Sequence, residues 1–444
     1  MSAILYFRRI ISGKELKKHR ILMAPMEICG IMLKIHHELE RKGIINDFLT
    51  FYEYAFAGDC RKYENKSLRG YFKFVGKCRK NREKRRTLLV RLWQIPEMLC
   101  VLGIFFKALF LYDTFLFFYG MGLFYCTHYL RRIERLEFMI YRLLHKNVVM
   151  CYFGSDSRPP YCGKVDTDIG SLYKQTKETA ARVQMIEKYV TVIDSPTTAQ
   201  FRRRPFIVYN RIFPIMEEAE FVSAEPEGDR EKVVILHAPS DQRWKGTKEV
   251  RELIQKLQDD GEPVEYVEIS GQPHEKVMEA IQSADIVIDQ MYSDVPMALF
   301  AAEASLSGIP VVVCSYYTEL CKKEFKFELP PLCYCKVEEA EEQIRKLIHD
   351  KELRKEMGKK EREYVQMHYM AEDVIERLLN VIEGKIPTEW YFDPKEALYI
   401  WGWGNSKDEV EKKVMELVDA YGFDALCLDS DSALYSAYKS YIGK

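Results

Sequence analysis

The chain contains 444 residues, of which 47% are hydrophobic and 13% aromatic, so a disordered chain is excluded and two or three domains are expected. Its net charge of −1 conceals an asymmetry, because residues 1–210 contain 37 Lys and Arg against 19 Asp and Glu, whereas the remainder contains 29 against 48. The two halves are therefore expected to meet different partners.

The twelve cysteines follow neither a paired framework nor a zinc-finger spacing. This pattern predicts a reduced, intracellular chain with ordinary buried thiols. The first residues contain no small-residue cleavage site, so no signal peptide is expected.

The first predicted elements form a βαβ unit, with a strand at 20–25, a helix at 31–42 and a strand at 45–54. Gly30 lies at the turn between the first strand and the helix. A glycine there can let the backbone approach a phosphate closely, although an ordinary turn glycine is an equally good interpretation.

The segment 61–91 contains 13 basic residues against Glu64 and Glu83. We favour contact with an anionic membrane surface or a polyanionic acceptor, because each cation near an acidic membrane contributes about 1 kcal/mol. A solvated insertion between secondary elements is the main alternative. Nucleic acid is the least favoured partner, because no recognisable nucleic-acid module surrounds the segment.

The segment 99–126 contains only two charged residues, Lys107 and Asp113. A membrane-spanning helix needs about 20 apolar residues, and each central charge costs roughly 2.5–3.5 kcal/mol. We therefore predict a buried helix followed by a buried strand at 114–119, rather than a membrane span.

The alternation of strands and helices then resumes, with helices predicted at 130–146 and 169–189 and strands at 148–153, 190–194 and 206–209. Asp156 follows the strand 148–153. At the carboxyl end of that strand it can face an acceptor or a sugar, and a turn aspartate is an equally good interpretation.

Two Asp-x-Asp pairs have the spacing of a Mg²⁺ site that would hold phosphates. They are Asp166 with Asp168 and Asp429 with Asp431. Each pair directly precedes a predicted helix, where aspartate is favoured as a cap, so we expect caps and no metal.

After a linker at 215–232, the second half repeats the pattern more regularly. Strands are predicted at 233–237, 264–269, 285–289 and 311–314, and helices at 248–258, 275–283 and 297–307. Such alternation predicts a parallel sheet with helices on both faces, which further helices between 338 and 384 close.

The remaining tail, 386–444, is predicted to be a small α/β appendage of unknown role. It contains a predicted strand at 398–403, a strand-like stretch at 425–428 and a last helix that ends at 441. Ser406 and Glu409 form a capping box, which predicts another helix between these two stretches.

A basic loop with a glycine, 243–247, joins the first strand of the second half to its helix. Backbone N–H groups and a helix N-terminus can face a phosphate there, and Lys245 and Arg243 add full charges. A surface turn with two solvated cations is the alternative. Because ligands bind beyond the carboxyl ends of parallel strands, where Lys245 and Asp289 both fall, we favour a phosphate site.

Three stretches of the second half carry a family resemblance, and two of the first half do so more loosely. They are HAPSDQRWKGT at 237–247, SADIVIDQ at 283–290 and AAEASLSGIPVVV at 301–313, with MAPMEICG at 23–30 and YFGSDSRP at 152–159. The chain between about 20 and 384 thereby resembles the retaining, nucleotide-sugar-dependent glycosyltransferases of the GT-B fold (group 1, or family 4-like).

This resemblance implies an α/β fold with two Rossmann-like, doubly wound domains that face a cleft. An acceptor domain would span 1–215, a donor domain 216–385, and the small α/β appendage 386–444.

The resemblance also implies roles for individual residues. Lys245 and Arg243 would hold the donor diphosphate, Glu303 would hold the donor ribose, and Asp156 would be a further catalytic candidate. Where the family often has a second Glu, this chain has Val295, with Asp294 next to it. The remaining donor-binding candidates are Gly246, Thr247, Asp289, Asp294 and Gly30.

The implied activity is transfer of a hexose from a UDP- or GDP-sugar, without a metal or other cofactor, to a glycan or lipid-linked acceptor in polysaccharide biosynthesis. Alternatives on the same fold are a catalytically silent partner and a nucleotide-sugar epimerase. We expect a cytoplasmic protein, peripheral to the inner face of a membrane, with no nucleic-acid partner.

Overall fold

The computed structural model describes residues 19–51, 89–163, 167–218, 230–324 and 328–443. The basic segment up to residue 88, Asp166 and residues 219–229 of the predicted linker lie outside these ranges. The strands are β1 Arg20–Ala24, β2 Ile45–Phe48, β3 Thr114–Phe118, β4 Asn147–Cys151, β5 Thr191–Asp194, β6 Phe206–Val208, β7 Val233–His237, β8 Val264–Glu268, β9 Ile286–Ser293, β10 Val311–Ser315, β11 Cys333–Cys335 and β12 Tyr391–Phe392.

The helices alternate with these strands along most of the chain. They are α1 Ile31–Arg41, α2 Leu89–Leu111, α3 Glu134–Leu143, α4 Ile169–Ile186, α5 Thr247–Asp259, α6 His274–Ser283, α7 Leu299–Leu306, α8 Thr318–Glu324, α9 Ala340–His349, α10 Lys351–His368, α11 Ala371–Ile382, α12 Lys407–Tyr421 and α13 Ala433–Ile442.

Two separate sheets organise these elements. The first has the strand order β12-β6-β5-β4-β3-β1-β2 and the second β11-β10-β9-β7-β8. All neighbouring pairs are parallel except β12 with β6. Helices cover both faces, so strands such as β3 and β10 are buried throughout and consist of continuous apolar runs. The predicted fold of two Rossmann-like, doubly wound domains is confirmed.

The chain crosses between the two domains at two adjacent places. Met216, at the end of the first crossing, donates its N–H to the carbonyl of Tyr369 at 2.8 Å, and Ala371 N–H donates to the carbonyl of Met216 at 2.8 Å. Beyond the second crossing, α11 packs into the core of the first domain beside α1, with Val374 and Leu378 fully or almost fully buried. The two crossing segments are therefore hydrogen-bonded to each other.

The tail packs against the first domain. Its strand β12 extends the edge of the first sheet, and α12 buries Val414 and Leu417 in the same core as β3 and β4. The Ser406–Glu409 capping box is present at the start of α12, as predicted. The strands predicted at 398–403 and 425–428 are wrong, because the first stretch is irregular and the second lies partly in a 3-10 turn, Phe423–Leu426.

Helix α2 is longer and less buried than the buried helix that we predicted. Its stretch Gln94–Leu111 has a mean hydropathy of 1.7, and it is the one helix among the described residues that is long and apolar enough to cross a membrane. Only a third of that stretch is buried. One face of α2 packs on the first sheet, and the other face is open.

Candidate functional site

The basic loop is shaped by an aspartate and a glycine. The carboxylate of Asp241 accepts hydrogen bonds from the backbone N–H groups of Arg243 at 2.9 Å and Trp244 at 3.1 Å. Gly246 then caps α5 in the left-handed region with φ of 67°, which a residue with a side chain adopts at a cost. A Cβ added to Gly246 would lie 2.6 Å from Cβ of Met291, so β9 passes directly beside the loop.

Lys245 and Asp289 form a buried ion pair. The Nζ atom of Lys245 lies 2.9 Å from Oδ1 of Asp289, and the two side chains are only 10% and 1% exposed. The other carboxylate oxygen, Oδ2, is enclosed and accepts no hydrogen bond from the described part of the chain. The structure therefore brings together two of the predicted donor residues.

The direction of the Asp289 side chain follows from an irregularity in β9. Ile288 pairs with Val312 of β10, but the next pair joins Gln290 to Val313, so Asp289 is an extra residue on its strand. Such a bulge re-aims a side chain and bends the strand. Beyond the bulge, Met291 donates its N–H to the carbonyl of Lys245 at 3.0 Å, so β9 is hydrogen-bonded there to the basic loop.

His237 supports the same loop from beneath. Its Nδ1 atom lies 2.8 Å from the carbonyl oxygen of Ile288, so Nδ1 carries the proton, and Nε2, at 3.0 Å, accepts from the hydroxyl of Thr247. Burial lowers the pKa of His237, and the positive charge of Lys245 contributes further. A neutral imidazole thus fixes Thr247 at the first turn of α5.

Glu303 is buried within α7 and paired with a more exposed histidine. Its Oε1 atom lies 2.8 Å from Nε2 of His274, whose side chain is 48% exposed. His274 is the first residue of α6. Because His274 is half exposed, the buried carboxylate of Glu303 lies close to the surface of the second domain.

The first domain meets this region through the turn between β1 and α1. Burial raises the pKa of Cys29 to about 11, with Glu303 and Glu27 adding to the rise and Lys245 opposing it. The thiol of Cys29 therefore lies within electrostatic range of the second domain's carboxylate and ammonium groups.

Gly30 caps α1 with φ of 77°, in the left-handed region that favours glycine. The N–H groups behind it are already used, because the buried carboxylate of Glu27 accepts from Met32 and Leu33, each at 3.2 Å. Burial raises the pKa of Glu27 to about 7. Glu27, which sequence reasoning missed, thus occupies the start of the helix that a phosphate would otherwise approach.

Asp156 lies apart from the ion pair of the second domain. Its Oδ1 atom accepts from the N–H of Phe153 at 2.9 Å, and this bond is the turn role that we had considered. Its Oδ2 atom is enclosed and lacks a hydrogen-bond partner among the described residues. Burial raises the pKa of Asp156 to about 7, with a further contribution from Asp194.

Asp294 bonds to the first domain. Arg158, in the turn after β4, donates to its Oδ2 atom from Nε at 3.1 Å and from Nη2 at 2.5 Å. The two side chains are 5% and 1% exposed, so this is a buried ion pair between the domains. Burial raises the pKa of Asp294, and Arg158 opposes that rise.

A tryptophan from the tail lies where the basic loop and both domains meet. The ring of Trp403 is 5.0 Å from that of Trp244, and the guanidinium of Arg158 lies 5.3 Å from its centroid. Its indole N–H donates to the side-chain oxygen of Gln290 at 3.3 Å, and its backbone N–H donates to the carbonyl of Cys162 at 3.3 Å. The predicted appendage therefore contributes to the wall of the site.

The remaining predicted residues have simpler placements. Arg243 is exposed on the loop. Asp168 caps α4 as predicted, because its Oδ1 atom accepts from the N–H of Ser171 at 2.9 Å. The cap of α13 is Ser432 and not an aspartate, so that part of the prediction is wrong. Within the described ranges, no three His, Cys, Asp or Glu side chains are placed to hold a metal ion.

No protein-family model and no curated protein matches the sequence. Among solved structures, Anabaena HepE in complex with UDP has a TM-score of 0.52 and 12% identity, over 82% of this chain and 100% of that one. A glycosyltransferase from Rickettsia africae has a TM-score of 0.50 and 12% identity, over 83% and 99%. These likenesses show a GT-B fold.

Proposed function

We propose that this GT-B-fold chain is a glycosyltransferase that moves a sugar from a nucleotide-sugar donor to an acceptor. The observation that carries the proposal is the buried Lys245 ammonium, fixed by Asp289 at the start of α5 and within electrostatic range of the first domain's turn. A cation and a helix N-terminus that point at one place provide what a departing diphosphate requires.

The chemistry of the donor site follows from these groups. Cleavage of a sugar–phosphate bond leaves negative charge on the diphosphate, and the ammonium of Lys245 and the N–H groups of α5 stabilise that charge without a metal ion. The carboxylate of Glu303 would accept hydrogen bonds from the ribose hydroxyls. Asp289 would act through Lys245, because its Oδ1 atom fixes the position of the ammonium group.

The acceptor would bind to the first domain. Asp156 is the candidate there for taking a proton, because a carboxyl group with a pKa of about 7 is present in both forms at neutral pH. A hexose as the transferred group, retention of configuration and a glycan or lipid-linked acceptor follow the family resemblance. The basic segment 61–91 would contact an anionic membrane from the cytoplasmic side.

The first donor to test is UDP-glucose, because Anabaena HepE has been solved with UDP and with UDP-glucose. A panel of UDP- and GDP-sugars, with donor hydrolysis followed by chromatography, separates the possible activities. Slow hydrolysis or transfer supports a transferase. Interconversion of the sugar would indicate an epimerase, and a folded protein that binds no donor would indicate a silent partner.

Lys245→Ala is expected to lower the rate of transfer by about 10²- to 10³-fold, as for the loss of one group that stabilises an oxyanion. Lys248→Ala is the matched control, because that side chain is 82% exposed on the same helix and is expected to leave the rate unchanged. Lys245→Ala leaves the buried Asp289 carboxylate without its cation and could therefore unfold the protein. The variant Lys245→Ala/Asp289→Asn also removes that charge, so it tests the site in a folded protein. Undiminished transfer by this folded double variant would remove the site from the mechanism.

A further inference from the structure

Helix α2 presents an exposed row of large apolar side chains. Ile95, Leu99, Phe106 and Phe110 are 42%, 59%, 55% and 76% exposed. Successive residues of an α-helix turn by about 100°, so these four side chains lie within about 60° of one another. The row is continuous along the helix and contains no charged residue.

The opposite face of α2 holds the helix against the first sheet. Val101, Ile104, Phe105 and Ala108 are fully buried in the core on that side. This packing prevents α2 from standing across a bilayer as an isolated span. The helix instead lies along the surface of the domain, with its outer row open.

Helix α3 lies beside α2 and extends the same apolar surface. The ring of Phe105 in α2 is 5.6 Å from that of Tyr141 in α3, so the two helices are neighbours on one face of the sheet. On the outer side of α3, Leu136, Met139 and Leu143 are 47%, 43% and 76% exposed. Their spacing also places them within about 60° of one another.

The exposed charges of α3 and of the turn before it have one sign. Arg131, Arg132, Arg135 and Arg142 are all exposed in and before α3. The two acidic residues of the same stretch are turned inward, because Glu134 pairs with Arg182 at 2.8 Å and the buried carboxylate of Glu137 accepts backbone N–H groups. A broad apolar surface flanked by arginines is typical of elements that lie in the interface of an anionic membrane.

We propose that α2 and α3 form a docking face that binds the surface of an anionic lipid bilayer. The apolar rows would enter the boundary between headgroups and acyl chains, and the arginines would contact the lipid phosphates. A second copy of the chain is a poorer occupant, because self-association would bring two arginine-flanked surfaces together. The 13 basic residues of segment 61–91, which leads into α2, have the same charge preference.

This inference goes beyond glycosyl transfer and does not depend on it. The test is flotation of the full-length protein with vesicles of phosphatidylcholine alone or mixed with phosphatidylglycerol. We expect the wild type to float with the anionic vesicles. Phe106→Ser/Phe110→Ser is expected to lower the bound fraction by about tenfold or more, because it removes two of the largest exposed apolar groups.

Matched controls distinguish binding through this surface from non-specific binding of the protein to vesicles. Met367 is 67% exposed on α10, far along the chain from the docking face, so Met367→Ser should leave flotation unchanged. Arg132→Gln/Arg135→Gln should reduce the preference for phosphatidylglycerol. High salt should release only part of the wild type, because apolar contacts are not screened.

Three outcomes would overturn the proposal. The first is a wild type that ignores both kinds of vesicle, and the second is equal flotation of wild type and Phe106→Ser/Phe110→Ser. The third is a lipid-free dimer that the same double variant converts to a monomer, which would assign the surface to self-association. UDP binding, measured on every variant by calorimetry, reports on the donor site separately, so failure of either proposal can be recognised.

Discussion

The ion pair between Arg158 and Asp294 permits a sharp test of how the two domains are held together. Arg158→Ala leaves the carboxylate of Asp294 almost fully buried without its cation. Removal of one partner from a buried pair costs about 3–5 kcal/mol, much of it because the remaining charge has lost its compensation. We expect a loss of that size in the free energy of unfolding, measured by urea denaturation at neutral pH.

The size of the loss should depend on pH in a known direction. Burial already raises the pKa of Asp294 above its usual value of 3.8, and loss of Arg158 removes the main influence that opposes the rise. The folded variant then holds a proton that the unfolded chain releases, so its stability falls as the pH rises above about 4. Arg158→Ala should therefore be less destabilising at pH 5 than at pH 8.

Two comparisons decide whether burial causes the effect. Arg251 makes a similar contact with Glu268 at 2.6 Å, but its side chain is 52% exposed. Arg251→Ala is therefore expected to cost much less, because solvent screens an exposed ion pair. Asp294→Asn added to Arg158→Ala should recover part of the loss, since it removes the stranded charge. A cost for Arg158→Ala as small as that for Arg251→Ala, with no dependence on pH, would refute the reasoning.

Further predictions concern the support of the basic loop. Gly246→Ala should destabilise the fold by about 1–3 kcal/mol more than Gly271→Ala, because both glycines have φ of 67° but only the first would place a Cβ against Met291. His237→Gln should flatten the pH dependence of unfolding below about pH 6.5. Burial lowers the pKa of His237, so its contribution to stability is present above the unfolded value of 6.5 and is lost as the pH falls through the lower folded value.

Much of the fold could be predicted because parallel strands that are buried on both faces are written as continuous apolar runs. Strand β7 agrees with its prediction residue for residue, and α5 agrees to within one residue at each end. Strand β9 was predicted to end at Asp289 and continues to Ser293. The bulge at Asp289 and the polar residues beyond it hide the rest of the strand, because no apolar run or alternation continues there.

The site was harder to predict because its contacts join distant parts of the chain. Arg158 and Asp294 are 136 residues apart, and no local pattern pairs them. Trp403 lies in the stretch 398–403, which was predicted to be a strand. Its N–H and that of Gly404 instead donate to the carbonyls of Cys162 and Tyr292, so the stretch is held by both domains rather than by a sheet.

The Lys245–Asp289 pair also bears on how a donor would be held. A lysine ammonium has three N–H groups, and Asp289 accepts from one of them, so, as far as the described residues show, two remain for a diphosphate. The carboxylate weakens the attraction that a bare cation would offer, but it fixes the direction of a flexible side chain before the donor arrives. The free-energy cost of ordering that side chain, up to about 2 kcal/mol, then falls on folding and not on donor binding. Such a site is expected to bind a free diphosphate moderately and to favour the transition state, in which negative charge accumulates at the oxygen that leaves the sugar.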